Sequence, residues 1–112
     1  MSNSNNFIPE STTDWEQLNE SARRQILGYD DQIMMVKIEF LTGGTGAVHS
    51  HVHCQCSYVA SGIFEFEIDG VKKVVKTGDG LYMEPNVLHG VKCLETGILI
   101  DTFSPVRADF LK

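Results

Sequence analysis

Gly43-Gly-Thr-Gly-Ala-Val-His49-Ser-His51-Val-His53-Cys-Gln55-Cys-Ser-Tyr-Val-Ala-Ser-Gly62 is the stretch on which the fold assignment turns. It holds three of the four histidines of the chain within five residues, and the fourth, His89, follows much later. On a strand, side chains two apart point to the same face, so His49 and His51 present both imidazoles the same way. That is a two-point grip for a metal ion. Gln55, just past Val52-His53, and His89, entered after Pro85-Asn-Val-Leu88, are the candidates to complete it. For His53 alone an ordinary surface or core role is favoured. Cys54-Gln-Cys56 offers a thiolate alternative with His53, but structural zinc sites usually use paired C-x2-C, which is absent here.

Working outward, turn signals divide the chain from Gly28 onward: Gly28-Tyr-Asp-Asp31, Thr42 to Gly46, Ala60-Ser-Gly62, Asp69-Gly70, Thr77 to Gly80, Pro85-Asn86 and Glu95-Thr-Gly97. Between them lie short runs rich in β-branched and aromatic residues, at 34–41, 57–59, 63–68, 71–75, 81–84, 89–94 and 98–103. Phe64-Glu-Phe-Glu-Ile68 alternates apolar and acidic residues, and Asp69-Gly70 after it specifies a two-residue hairpin. Evenly spaced strands joined by tight turns predict an all-β antiparallel sandwich or barrel. The expected division is an N-terminal extension, 1–20, with a short helix over Thr13 to Asn19 capped by Thr13 or Asp14, and one barrel domain, 21–112.

Composition bounds the function. The 112 residues, 42% of them hydrophobic, supply one core. Fifteen acidic residues against nine basic ones give a formal net charge of -6, which repels nucleic acid and anionic membranes. No apolar run approaches the roughly 18 residues of a membrane span, and the polar start lacks a secretion signal, so a cytoplasmic protein is expected. Three cysteines without a spacing framework argue against a disulfide-stapled module.

Ile98-Leu-Ile-Asp101-Thr-Phe103-Ser-Pro105-Val-Arg107-Ala-Asp109-Phe110 is the second informative segment. Parity puts Asp101 and Phe103 on one face, opposite Ile98, Ile100 and Thr102. If that face looks inward, a carboxylate and a ring line the metal cavity, and Arg107, after the strand is ended by Pro105, can bend back across its mouth. The bland alternatives stay open: Asp101 bonding a turn, Phe103 in the core, Arg107 paired with Asp109 in solvent.

Gly43, five residues, His49-Ser-His51, three residues, Gln55, six residues and Gly62 resemble the first motif of the cupin superfamily without a gap. Gly78-Asp-Gly-Leu-Tyr-Met-Glu84-Pro-Asn86-Val-Leu-His89 resembles the second, with Glu84 in place of proline and Asn86 in place of glycine. The resemblance implies a single cupin β-barrel, the antiparallel double-stranded β-helix or jelly roll, with a divalent metal on His49, His51, Gln55 and His89. Gln55 stands where a glutamate is usual. An uncharged ligand set leaves the metal its full double charge and makes it a stronger electrophile toward anions. Zinc or nickel fits this set first, with iron, manganese or copper also compatible.

His49 to Gln55, Glu84 to His89 and Asp101 to Leu111 together are similar to one group of small cupins, the pectin-degradation proteins of KdgF type. Members of that family use three histidines and a glutamine for metal and linearise 4,5-unsaturated monouronates to the open-chain keto form. The resemblance implies Asp101 as general acid or base, Arg107 as the holder of the uronate carboxylate, and Phe103 as a surface for the ring. The partner it implies is a small anionic sugar acid. Two other classes compete: a cupin dioxygenase needing a redox metal, and a non-catalytic sugar-acid-binding module. Exposed strand edges favour a homodimer.

Overall fold

A computed structural model describes residues 2–111. Eight strands form one antiparallel sheet: β1 (Glu16–Asn19), β2 (Ala22–Tyr29), β3 (Met34–Phe40), β4 (Thr45–His49), β5 (Cys54–Ile68), β6 (Val71–Lys76), β7 (Gly80–Met83) and β8 (His89–Ser104). Two single 3-10 turns, Glu10–Thr12 and Ala108–Phe110, flank it. The all-β jelly-roll architecture expected from the motifs is what the chain adopts.

β5 and β8 organise the fold. They pair with each other along nearly their whole length, from Cys54↔Ser104 to Ile68↔His89. The first half of β5 also pairs with β7, and its second half with β6. β8 pairs with β4 through its first half and with β3 through its second. Each long strand therefore serves two strand sets, β1-β2-β3-β8-β5-β7 and β4-β8-β5-β6, and the sheet folds over where they change partners.

That fold-over explains two turn signals. Ala60-Ser-Gly62 and Glu95-Thr-Gly97 were expected to separate strands, yet both lie inside continuous ones, at register shifts between Val59 and Phe64. Gly62 has φ +87°, and a Cβ there would sit 2.6 Å from the Glu95 carbonyl oxygen. A Cβ on Gly97 would collide with the Ser61 carbonyl. The glycines let two backbones cross at a bulge rather than turn.

Other expectations need correction at the N-terminus. Thr13 to Asn19 is not helical; Glu16–Asn19 is an edge strand hydrogen-bonded to β2. A helix of seven residues lacks the length to hold itself, whereas backbone pairing to β2 is available. β2 carries no clear strand signal in the sequence, because Ala22-Arg-Arg-Gln-Ile-Leu-Gly-Tyr29 alternates poorly and Gly28, a turn signal, lies within it. The Asp69-Gly70 hairpin forms as expected, with φ of 51° and 79°, and Asn86 takes the left-handed conformation at φ 67°.

The main core packs Phe40, Val59, Phe64, Phe66, Met83, Cys93 and Leu99, and a second cluster gathers Met34, Val36 and Phe103. Burying one such side chain contributes about 1.5–3 kcal/mol. Leu99 and Phe103 are buried, whereas Ile98, Ile100 and Thr102 are only half-buried, so β8 turns its odd-numbered face inward.

Candidate metal centre and its cavity

His49 ends β4 and His89 begins β8, and the two residues are cross-strand partners. His51 follows in the loop to β5, with its ring centroid 5.5 Å from that of His49 and 4.9 Å from that of His89. One ring nitrogen from each of the three lies within 4.8 Å of the others. Among the described residues this is the single cluster of three such side chains positioned for a metal ion. The cysteines take no part in it: Cys56 is exposed, Cys93 is buried in the core, and Cys54 donates to the Ser104 carbonyl. The thiolate alternative is thereby set aside.

Backbone carbonyls fix the tautomers. The Nδ1 atoms of His49, His51 and His89 lie 2.8, 3.0 and 3.0 Å from the carbonyl oxygens of Ala47, His53 and Val87. A carbonyl only accepts, so each Nδ1 carries the hydrogen and each Nε2 keeps a free lone pair, as metal-binding imidazoles require. Burial lowers the pKa values of His51 and His89, which favours these neutral forms.

Gln55 tests whether a cation belongs here. Its Oε1 lies 3.0 Å from His51 Nε2, two acceptors with no hydrogen between them. A proton on His51 would relieve the contact, but burial opposes that charge. A metal ion drawing on both lone pairs relieves it without protonating the ring. The donor set, three imidazoles and one amide oxygen, fits a divalent transition metal.

Next to this cluster a cavity of about 270 Å³ opens. His49, His89, Gln55, Asp101 and Arg107 supply its polar lining, and Ile38, Phe40, Phe66, Val91, Leu99 and Phe103 its apolar lining. Asp101 is 6% exposed. Burial raises its carboxyl from 3.8 to about 6, while bonds from Ser57 and Gln55 and the nearby Arg107 charge pull the other way. Phe103 packs edge-on against His51 and Phe110. Arg107 does two things that looked like alternatives. It faces the cavity with its guanidinium 5.1 Å from the Phe103 ring centroid, and it is paired with Asp109.

Comparison with known proteins identifies the family and the fold. The cupin domain model matches residues 36–101. The chain is 47% identical, over 94% of its length and 97% of the relative's, to the pectin degradation protein KdgF of Dickeya dadantii (strain 3937). It is a cupin of the KdgF family. Among solved structures, an RmlC-like cupin from Shewanella frigidimarina NCIMB 400 superposes with a TM-score of 0.95 at 45% identity, covering 98% of this chain and 99% of that one. KdgF from Halomonas sp. superposes with a TM-score of 0.91 at 32% identity, covering 96% and 99%.

Sequence reasoning missed several residues of this KdgF-family site. Leu18 and Asn19 of β1 and Phe110 of the C-terminal 3-10 turn line the cavity, although they are remote in sequence from the motifs. Ser57, 4% exposed, donates to Asp101 at 2.6 Å and accepts from Gln55 Nε2 at 3.1 Å. Parity with Gln55 was the signal available for it. His53 stands outside the cluster, its Nδ1 buried without a hydrogen-bond partner.

Proposed function

We propose that this cupin is a metal-dependent enzyme that opens the ring of 4,5-unsaturated monouronates from pectin or alginate breakdown, giving the open-chain keto form. The observation that carries the reading is the convergence of the histidine cluster, a buried carboxyl and a guanidinium on one small cavity. A relative named as a pectin degradation protein, 47% identical over nearly the whole chain, supports the choice of substrate.

His49, His51, Gln55 and His89 would hold the ion, zinc or nickel before iron or manganese, and it would supply Lewis acidity toward substrate oxygens. The protein groups account for the rest. Arg107 binds the uronate carboxylate with those guanidinium donors that Asp109 leaves free. Phe103 packs on the ring and, with the rest of the apolar lining, excludes water. Asp101 moves the proton. As a carboxylate it takes the hydrogen of the C1 hydroxyl; the C1 carbonyl forms as the bond from C1 to the ring oxygen breaks. The electron pair resides on the oxygen of C5 as an enolate, which becomes the C5 ketone as C4 takes the proton back from Asp101. Nothing is gained or lost overall, and an acid with a pKa near 6 serves in both directions at neutral pH.

The partners proposed are this small anionic sugar acid and a second copy of the chain. The exposed valines Val71 and Val74 on the edge strand β6 support a homodimer.

The test follows 4,5-unsaturated galacturonate by NMR with protein as purified, chelated protein and Asp101→Asn. Acceleration that is lost on chelation and weakened in the variant supports ring opening. A metal-loaded protein that leaves the rate unchanged overturns it.

A further inference from the structure

Hydrogen counting along a buried chain of side chains on β5 and β8 assigns a role to Ser57. Ser57 and Asp101 are cross-strand partners, and Gln55 precedes Ser57 on the same face of β5. All three are buried. The serine hydroxyl has one hydrogen to give, and at 2.6 Å from Asp101 Oδ1 it gives it there, since a carboxylate only accepts. Ser57 Oγ must then accept from Gln55, so the Gln55 group facing it at 3.1 Å is the amide nitrogen. The amide oxygen is left pointing the other way, 3.0 Å from His51 Nε2 and toward the histidine cluster.

With a cation held by the histidine cluster, reversing the amide breaks this arrangement at both ends. Its oxygen would meet Ser57 Oγ with no hydrogen between them, and its NH2 would face the site that a cation needs. A buried polar group left so costs about 1–3 kcal/mol. The same count accounts for an amide where a carboxylate would bring charge to the metal. A glutamate at position 55 has no hydrogen to offer Ser57, and its carboxylate would compete with Asp101 for the one hydroxyl hydrogen.

We propose that Ser57 is a positioning residue whose single hydroxyl hydrogen, given to Asp101, locks the Gln55 amide with its oxygen toward the metal site. One hydroxyl thereby sets both a metal ligand and the neighbouring carboxylate. The inference rests on the reading of Gln55 as a ligand and is independent of the substrate.

Zinc is the probe, its affinity measured by chelator competition on the folded full chain, with circular dichroism confirming the fold. Ser57→Ala weakens zinc binding by about 10- to 100-fold, the usual effect of losing a partner behind a ligand, and Ser57→Thr, which keeps the hydroxyl, stays within about threefold. In a Gln55→Ala background, where there is no amide to orient, Ser57→Ala has no further effect. Unchanged zinc affinity in Ser57→Ala overturns the proposal, as does an equal loss in the Gln55→Ala background. Unchanged affinity in Gln55→Ala itself removes the ligand reading, and the proposal with it. If Ser57→Ala does not fold, Ser57→Cys, nearly isosteric with a weak donor, is read by the same criteria.

Discussion

Arg107 and Asp109 are joined at two points although only two residues apart: Nε donates to Oδ1 at 3.1 Å and Nη2 to Oδ2 at 3.0 Å. The pairing pulls the Asp109 carboxyl below its usual range and holds the guanidinium plane near Phe103 and Phe110, 5.1 and 4.3 Å from their centroids. A charge that would otherwise swing on a long stem is thus held at the cavity in advance of any ligand.

Asp109→Asn is therefore expected to act on binding. Loosening the fork raises KM for the unsaturated uronate several-fold, with kcat nearly unchanged. Arg107→Lys keeps the charge but loses the planar fork, and a bond to a charged group is worth about 1.5–3 kcal/mol, or roughly 10- to 100-fold in kcat/KM. Steady-state kinetics on both variants decide it. Equal falls in kcat for Asp109→Asn and Arg107→Lys would sink the idea that Asp109 serves mainly to orient its neighbour.

A pH effect on stability follows from Asp101. Its carboxyl is raised from 3.8 to about 6 by burial, so the folded protein keeps a proton that the unfolded chain gives up. The contribution is fully present below the unfolded value and is lost as pH rises through the folded one. At about 1.4 kcal/mol per pH unit the span amounts to roughly 3 kcal/mol in the metal-free protein. Urea unfolding of the chelated wild type and Asp101→Asn, from about pH 4 to about pH 7, measures it. The wild type loses stability relative to the variant across that window. A constant difference between the two curves contradicts the assignment.

How much of this was legible in the sequence depended on whether a residue's role is local. His49 and His51 were readable from their spacing, although β4 ends at His49 and His51 reaches the cluster from the loop that follows rather than along a strand, whereas strand parity does place Asp101 with Phe103. The Asp69-Gly70 turn is written in two residues. β1 was not readable: Glu16–Asn19 is exposed throughout, shows no alternation, and is a strand only because β2 offers it hydrogen bonds. The cavity walls from Leu18, Asn19 and Phe110 depend on that pairing and on where the chain's last turn lands. Ser57 shared parity with Gln55, but a lone serine carries no chemical signature until its partner across the sheet is known.

The glycines at the fold-over give a strong stability prediction. Ala60-Ser-Gly62 and Glu95-Thr-Gly97 look like turns because glycine marks both turns and bulges. Their true job is steric, with Gly62 at φ +87° and its position for a Cβ within 2.6 to 2.8 Å of three backbone atoms of β8. Gly62→Ala must strain its own conformation and part β5 from β8 at the bend. A loss of more than about 3 kcal/mol is expected, measured by chemical denaturation. Gly70→Ala, which meets nothing within 4 Å, carries only the conformational term and loses about 1 kcal/mol. Similar losses at the two positions would mean that the close crossing of the strands is not what Gly62 serves.

Metal should also act as a stabilising ligand, because folding brings a remote imidazole to a local pair. His49 ends β4 and His51 lies in the following loop, whereas His89 begins β8, so unfolding parts His89 from the other two. An ion that binds only the folded form adds about 2.7 kcal/mol at a concentration 100 times its Kd. Stripping with chelator lowers Tm by several degrees, and zinc or nickel restores it. In His49→Ala the restoration is mostly lost, although His49 is exposed and its removal opens no core cavity. That contrast isolates the metal contribution from packing. Calorimetry on both proteins with and without added metal provides the check, and an undiminished metal-induced shift in His49→Ala would show that the stabilising ion sits elsewhere.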